Sequence, residues 1–267
     1  MSTEISIVGS GHTKFGRLQE DVEELIVAAT REAVSEAGLD PADIDAVFLG
    51  HFNSGLVNDG FALSLIHQAY PELRFKPGMR AENACASGSA AIHAGLNAIQ
   101  AGKARTVLVV GAEKMTSRST QEVTNALAGA GYQNDPSEAA LSFPQVFGVA
   151  ACNYAARYSS PLDAMARIAV KNHANAMGLT QKGQGASALE EGTVYRDGTL
   201  PVNLSGGLKA KGHPVGATGV SMHVLAYRQL THQAGGIQKL GAALGLVFNM
   251  GGSAVANYAS VLEARKD

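Results

Sequence analysis

Two residues of this chain stand in settings that suit covalent chemistry. Cys85 lies in Glu82-Asn-Ala-Cys-Ala-Ser-Gly-Ser-Ala90, where an apolar segment gives way to tiny residues that open a helix. Its sulfur is therefore expected at a helix N-terminus, a position that lowers a thiol pKa and suits a nucleophile. The surrounding residues have almost no side-chain bulk, which admits a flat thioester and leaves backbone N–H groups free to face an oxyanion. His213 lies in Asn203-Leu-Ser-Gly-Gly-Leu-Lys-Ala-Lys-Gly-His-Pro-Val-Gly-Ala-Thr-Gly219, whose many glycines suggest a backbone shaped for a reactant. Pro214 forces His213 towards extended backbone and Gly212 removes bulk on its other side, which exposes an imidazole on a tight turn. A neutral imidazole there can take the thiol proton, the general-base arrangement of Cys–His nucleophilic chemistry. Together the two residues point to acyl transfer.

Other candidates divide by context. Cys152 has apolar helical neighbours and reads as a packing residue, as do His93 and His223 inside predicted helices. Asn249-Met-Gly-Gly-Ser253 follows a buried strand, and Gly251 can present its N–H to a developing oxyanion. Gly9-Ser-Gly11 lacks the further glycine spacing and the helix start of a dinucleotide site. No Cys or His pair has metal-ligand spacing.

The elements that must position these residues alternate. A strand is expected at Ile5 to Val8, an amphipathic helix near Val22 to Ala37, a strand at Ala46 to Leu49 and a helix near Phe61 to Tyr70. A strand ending near Ala84, a small-residue helix from Ser87 to Gln100 and an apolar strand at Thr106 to Val110, buried on both faces, complete this half. Such alternation predicts a mostly parallel sheet covered by helices. Gly38 and Pro41 terminate the first helix. Towards the end of the chain the pattern repeats: His213 precedes a helix near Val220 to Thr231 and a strand at Leu244 to Phe248. That echo of Cys85, its helix and its strand predicts equivalent loops that bring Cys85 and His213 together at one end of the fold. Between them, helices are expected near Gln145 to Tyr158 and Asp163 to Ala176, and a glycine-broken surface loop from Gly178 to Thr199.

Composition narrows the function classes. With 46% hydrophobic residues among 267, the chain can bury a sizeable core. A formal charge of -2 with scattered Lys and Arg argues against a nucleic-acid partner, and two cysteines are too few for a disulfide scaffold. The sequence shows neither a signal peptide nor an apolar run long enough for a membrane span, and the final Ala-Arg-Lys-Asp is not a peroxisomal address, so a cytoplasmic location is expected.

These motifs resemble those of the thiolase superfamily, specifically sterol-carrier-protein-type thiolases and bacterial acetyl-CoA acetyltransferases. Asn83-Ala-Cys-Ala-Ser-Gly-Ser89 resembles the nucleophile motif, Asn203 to Gly219 the Gly-His-Pro motif and Asn249-Met-Gly-Gly252 the final glycine turn. The resemblance implies a five-layered α/β/α/β/α fold built from two related halves. It divides the chain into an N-terminal half over 1–114, a lid or loop subdomain over 115–177 and the remainder of the C-terminal half over 178–267. It also implies coenzyme A thioesters as substrates, no separate cofactor or metal, and homodimers or homotetramers.

In the implied mechanism Cys85 carries the acyl group, His213 activates it, and the N–H groups of Cys85 and Gly251 form the oxyanion hole. Asn249 and Ser205 are candidate acceptor-site residues. Asn249 stands where other thiolases place a second cysteine, and the His-Asp-Cys-Phe motif of sterol-carrier-type members is absent. The sequence runs directly from Met177 to Gly178, where family members carry most of the second half's sheet, so the second half is incomplete. Losing central strands would expose apolar edges, which favours a stretch missing from this sequence over a genuinely shortened chain. The readings that follow are an acyl-CoA C-acyltransferase, an acyltransferase to a non-CoA acceptor, and a non-catalytic acyl-CoA-binding partner of an OB-fold protein.

Overall fold

Asp21 and Glu24 fix the start of the first helix by a reciprocal capping box: the Asp21 carboxylate accepts the Glu24 N–H at 2.9 Å, and the Glu24 carboxylate accepts that of Asp21 at 2.9 Å. The helix α1, Val22–Ala37, ends at Gly38, whose φ of 62° is the left-handed geometry that suits glycine. Its buried stripe of Val22, Ile26, Thr30 and Val34 follows helical spacing. The computed structural model describes residues 4–158 and 190–265.

Three strands, β1 (Ala46–Gly50), β2 (Gly78–Ala81) and β3 (Val107–Gly111), form a parallel sheet in the order β2-β1-β3. Val47 pairs with Gly78 on one side and with Leu108 on the other. Alternation sorts the side chains of β1: Val47 and Leu49 join the core under α1, while Ala46 and Phe48 join that under α2, Ser87–Gln100. β1 is buried at every residue. β3 is not, contrary to the apolar run of Thr106 to Val110, because it is the edge of this sheet and only Leu108 and Val110 are fully covered. The segment expected as a helix near Phe61 to Tyr70 is a 3-10 turn over Ala62–Gln68.

Ile5 to Val8 is not a strand. Ile7 and Val8 are exposed and the segment lies along α1, where Gly9 and Gly11 permit the approach: a Cβ at Gly9 would stand 2.8 Å from the Ala37 nitrogen, and one at Gly11 2.9 Å from that of Ala33. After α3 (Thr120–Ala128), α4 (Pro136–Ala139), α5 (Phe143–Tyr158) and α6 (Gly207–Lys211) comes α7, Val215–Leu230. It packs on α2 and β3 and, from its other side, on β4, Leu244–Gly251, which pairs antiparallel with β5, Ala256–Glu263. The α/β class is thus observed. Among the described residues the layers are α1, the parallel sheet, α2 with α7, and β4 with β5, leaving Leu244, Leu246 and Val261 exposed.

The chain divides into two compact units, one of Met1–Ala130 with Gly212–Asp267 and one of Gly131–Lys211. The second contains α4, α5, α6 and a turn-rich stretch in which Thr193 and Val194 carbonyls accept the N–H groups of Leu200 and Val202. The helix expected near Asp163 to Ala176 and the first part of the Gly178 to Thr199 loop lie outside the described residues. No described helix is long and apolar enough to cross a membrane.

Candidate active site

The loops that follow β1, β2 and β3 leave the carboxyl edge of a parallel sheet, where α/β folds place their ligands. Cys85 is in the loop after β2. Ala84 before it has φ 48°, a left-handed conformation that costs a non-glycine residue about 1 kcal/mol. Local bonds hold it there. The Ala84 N–H is accepted by Glu82 Oε1 at 2.6 Å, and Ser87 Oγ, fully buried, donates to the Ala84 carbonyl at 2.7 Å while accepting the Asn83 N–H at 2.9 Å. Cys85 is half-buried, two residues before α2. Both cysteines are free.

The expectation of a lowered thiol pKa is overturned. Burial pushes the Cys85 thiol up to about 11; its own N–H opposes this, and the negative charge of Glu113 adds to it. Cys85 therefore rests as a thiol, and a nucleophilic role for it would require a base.

His213 is placed by the first turn of α7. Gly212, at φ 97°, takes up the turn that leads into it, and Pro214 is the N-cap. His213 Nδ1 lies 2.7 Å from Thr218 Oγ1, and that hydroxyl donates to the Pro214 carbonyl at 2.9 Å. A hydroxyl has one proton, so Thr218 can only accept from the imidazole. Nδ1 thus carries the hydrogen and Nε2 the lone pair, the tautomer able to receive a proton. Burial holds the His213 pKa below its ordinary 6.5, so the ring is neutral at pH 7.

One apolar cluster joins the two loops. Val215, two residues beyond His213, packs with Phe52, Leu56 and Ala84, and Cys85 packs against the same group. The expected convergence of the Cys85 and His213 loops is observed. The glycines and small residues between them need a different account from the one sequence suggests. A Cβ at Gly88 of α2 would lie 2.7 Å from the Val220 nitrogen and 2.8 Å from the Gly216 carbonyl oxygen of α7, and one at Gly219 would overlap the Ser89 nitrogen. Gly216 likewise faces the Ala112 carbonyl, 2.6 Å from its would-be Cβ. These glycines let two helices and two strand ends meet backbone to backbone; Gly212, with open space around it, serves the turn.

Strand β4 closes the loop from another side. Asn249 is buried, its Nδ2 donates to the Cys85 carbonyl at 3.1 Å, and its Oδ1 accepts from Ser89 Oγ at 2.8 Å. Gly251 ends β4 with its α-carbon against the Asn83 carbonyl, and Asn83 Nδ2 donates to the Tyr258 hydroxyl at 3.0 Å. Ser205 lies in the second compact unit, half-buried, in the turn between Asn203 and α6. His223 bridges the Gly219 carbonyl at 2.7 Å and Ser260 Oγ at 2.9 Å, and His93 reaches the same hydroxyl at 3.2 Å, in keeping with packing roles.

Sequence reasoning missed Glu113 and Thr218. Glu113 is buried beside Ala112 just beyond β3, and its carboxylate accepts the N–H groups of Phe52 and Gly216 at 2.9 Å and of Asn53 at 3.0 Å. Its signal was available: a carboxylate directly after an apolar strand, at the same sheet edge as Cys85.

Residues 5–188 match the family description "Thiolase, N-terminal domain", and residues 160–264 match "Thiolase C-terminal domain-like". An acetyl-CoA acetyltransferase of Methanothermobacter thermautotrophicus is 24% identical over 372 residues, covering 94% of this chain and 97% of that protein. Because that alignment is longer than the chain, the relative contains stretches with no counterpart here. An acetyl-CoA acetyltransferase of Methanocaldococcus jannaschii is 35% identical over 175 residues, 65% of this chain and 44% of the relative. Human sterol carrier protein 2 is 43% identical over 76 residues, 28% of this chain. The chain spans only 14% of that protein's length.

Proposed function

The chain belongs to the thiolase family, and from that premise we propose that it is an acyl-CoA acyltransferase that carries the acyl group on Cys85. The observation that carries this reading is the packing of the Cys85 loop against the first turn of α7, with Thr218 fixing the His213 tautomer. His213 Nε2 takes the Cys85 proton as Sγ attacks the thioester carbonyl. The carbonyl π electrons move to oxygen, held by the N–H groups of Cys85 and Gly251. Collapse reforms the carbonyl and breaks the bond to the sulfur of coenzyme A, which leaves with the proton from the imidazolium. Free coenzyme A reverses these steps, and condensation with a second acyl-CoA gives a 3-ketoacyl-CoA.

Condensation requires removal of a proton from the acceptor's α-carbon. Asn249, in the position where other family members hold a cysteine, has its amide bonded to Cys85 and Ser89 and cannot act as that base. This observation favours a second reading in which acyl-Cys85 passes its group to an acceptor other than coenzyme A. Both readings include a cytoplasmic homo-oligomer that needs no cofactor or metal beyond its thioester substrate. A non-catalytic acyl-CoA binder paired with an OB-fold protein makes the opposite prediction. A single-turnover incubation with acetyl-CoA should release one coenzyme A per chain, measured chromatographically, and none from Cys85→Ser; tight binding without release would establish the binder instead.

A further inference from the structure

Helix α7 begins without a side-chain cap of its own. Pro214 at its N-cap has no side chain able to accept; its carbonyl takes the Ala217 and Thr218 N–H groups at 3.0 Å, and the Gly216 N–H needs a partner from elsewhere. Glu113 provides one. Its Oε2 accepts the Gly216 N–H at 2.9 Å across 103 residues of sequence, and the same oxygen accepts the Phe52 N–H at 2.9 Å. Oε1 accepts the Asn53 N–H at 3.0 Å, in a loop where Asn53 and Ser54 take positive φ values of 60° and 48° and so wrap the backbone around the carboxylate. His51 Nδ1, which lies 2.9 Å from the Ala112 carbonyl, is 3.3 Å from Oε1. The Glu113 side chain is 0% exposed.

A buried carboxylate carries a desolvation cost of several kcal/mol unless hydrogen bonds offset it. Here both oxygens are used, and an amide, with one acceptor oxygen, could not serve the same three donors. The charge is also set where the Cys85 thiol feels it. We infer that Glu113 is a positioning residue for acylation: it caps α7 from the end of β3 and thereby holds the His213 turn against the Cys85 loop. This inference rests on the reading of His213 as the base.

The test compares the unaltered chain with Glu113→Gln in two reactions followed at the Cys85 peptide by mass spectrometry. In single-turnover acylation by acetyl-CoA, Glu113→Gln should slow the maximal rate about tenfold, the scale of one lost charge-assisted bond, with half-saturation changed little. In alkylation by iodoacetamide, which needs no coenzyme A, the pH midpoint for Cys85 should move down from about 11 because a neighbouring negative charge is gone. Loosening of the Cys85 loop would lower the midpoint too, by hydrating the thiol, so the shift counts where the melting temperature of Glu113→Gln matches that of the unaltered chain. A folded Glu113→Gln chain that is acylated within about twofold of the unaltered rate overturns the inference. If Glu113→Gln does not fold, hydrogen exchange on the unaltered chain decides: the Phe52, Asn53 and Gly216 amides should exchange slowly as a set, and a rapidly exchanging Gly216 overturns it. If the unaltered chain takes no acyl group, the proposed function fails. The alkylation midpoint then judges Glu113 separately: a downward shift sustains its coupling to Cys85, and an unmoved midpoint ends it.

Discussion

Cys85 and His213 are each held in their uncharged form by burial, the thiol with its pKa near 11 and the imidazole with its pKa below 6.5. A resting thiolate–imidazolium pair is thereby disfavoured, and in the proposed reaction proton transfer accompanies attack on the carbonyl. The orientation of the imidazole then matters more than its basicity, and Thr218 sets that orientation. Thr218→Val keeps the shape and β-branching but leaves the Nδ1 proton without its acceptor, a loss worth about 1–3 kcal/mol. The acylation rate should fall by about fivefold to 150-fold with half-saturation by acetyl-CoA little changed, and Thr218→Ser should restore most of it. Stopped-flow release of coenzyme A from the two variants checks this. Equal rates for Thr218→Val and the unaltered chain would remove Thr218 from the account.

The element scale explains the glycines. Helices α2 and α7 cross with no room for a Cβ at Gly88 or Gly219, whose neighbours are backbone nitrogens that cannot move aside alone. Gly219→Ala or Gly88→Ala should destabilise the chain by about 1–3 kcal/mol through overpacking, read as a lower denaturant midpoint. Gly148→Ala, in α5 with open space around it, should raise stability by up to about 1 kcal/mol. Elements with local signals were legible in the sequence. Asp21, Glu24 and Gly38 mark both ends of α1, and the small-residue run marks α2. Ile5 to Val8 looked like a strand because its apolar residues say nothing about whether a neighbour is present to pair with. β5 went unread because Ala256 to Glu263 alternates between half-buried and exposed positions rather than between core and solvent. Cys85 and His213 were legible because their backbones are shaped by adjacent residues. The small residues beside them were misread as room for a substrate because the partner helix is more than a hundred residues away. The bonds made by Glu113 and by Asn249 were illegible for the same reason, since Gly216 and Ser89 lie 103 and 160 residues from them.

For the whole molecule, titration sets a window. Burial lowers the pKa values of His93, His213 and His223, with contributions at His223 from other groups, so folding favours their neutral forms. Their contribution to stability is present above pH 6.5 and is lost as pH falls through the lowered values. Cys85 has the opposite sense: its raised pKa contributes below the ordinary 9.0 and is lost as pH rises towards about 11. The melting temperature should therefore be flat between about pH 6.5 and 8 and fall on the acid side; on the alkaline side Lys211, whose pKa burial lowers to about 8, gains stability as pH rises and opposes the loss at Cys85. His223→Gln should weaken the acid limb if the buried imidazole is its cause. Whether this chain forms an acyl-enzyme on Cys85 is decided by the intact mass of the protein before and after acetyl-CoA, followed by peptide mapping. One acetyl increment is expected on the Cys85 peptide, removed by free coenzyme A and lacking in Cys85→Ser. An unchanged mass, or an increment that survives in Cys85→Ser, would contradict it.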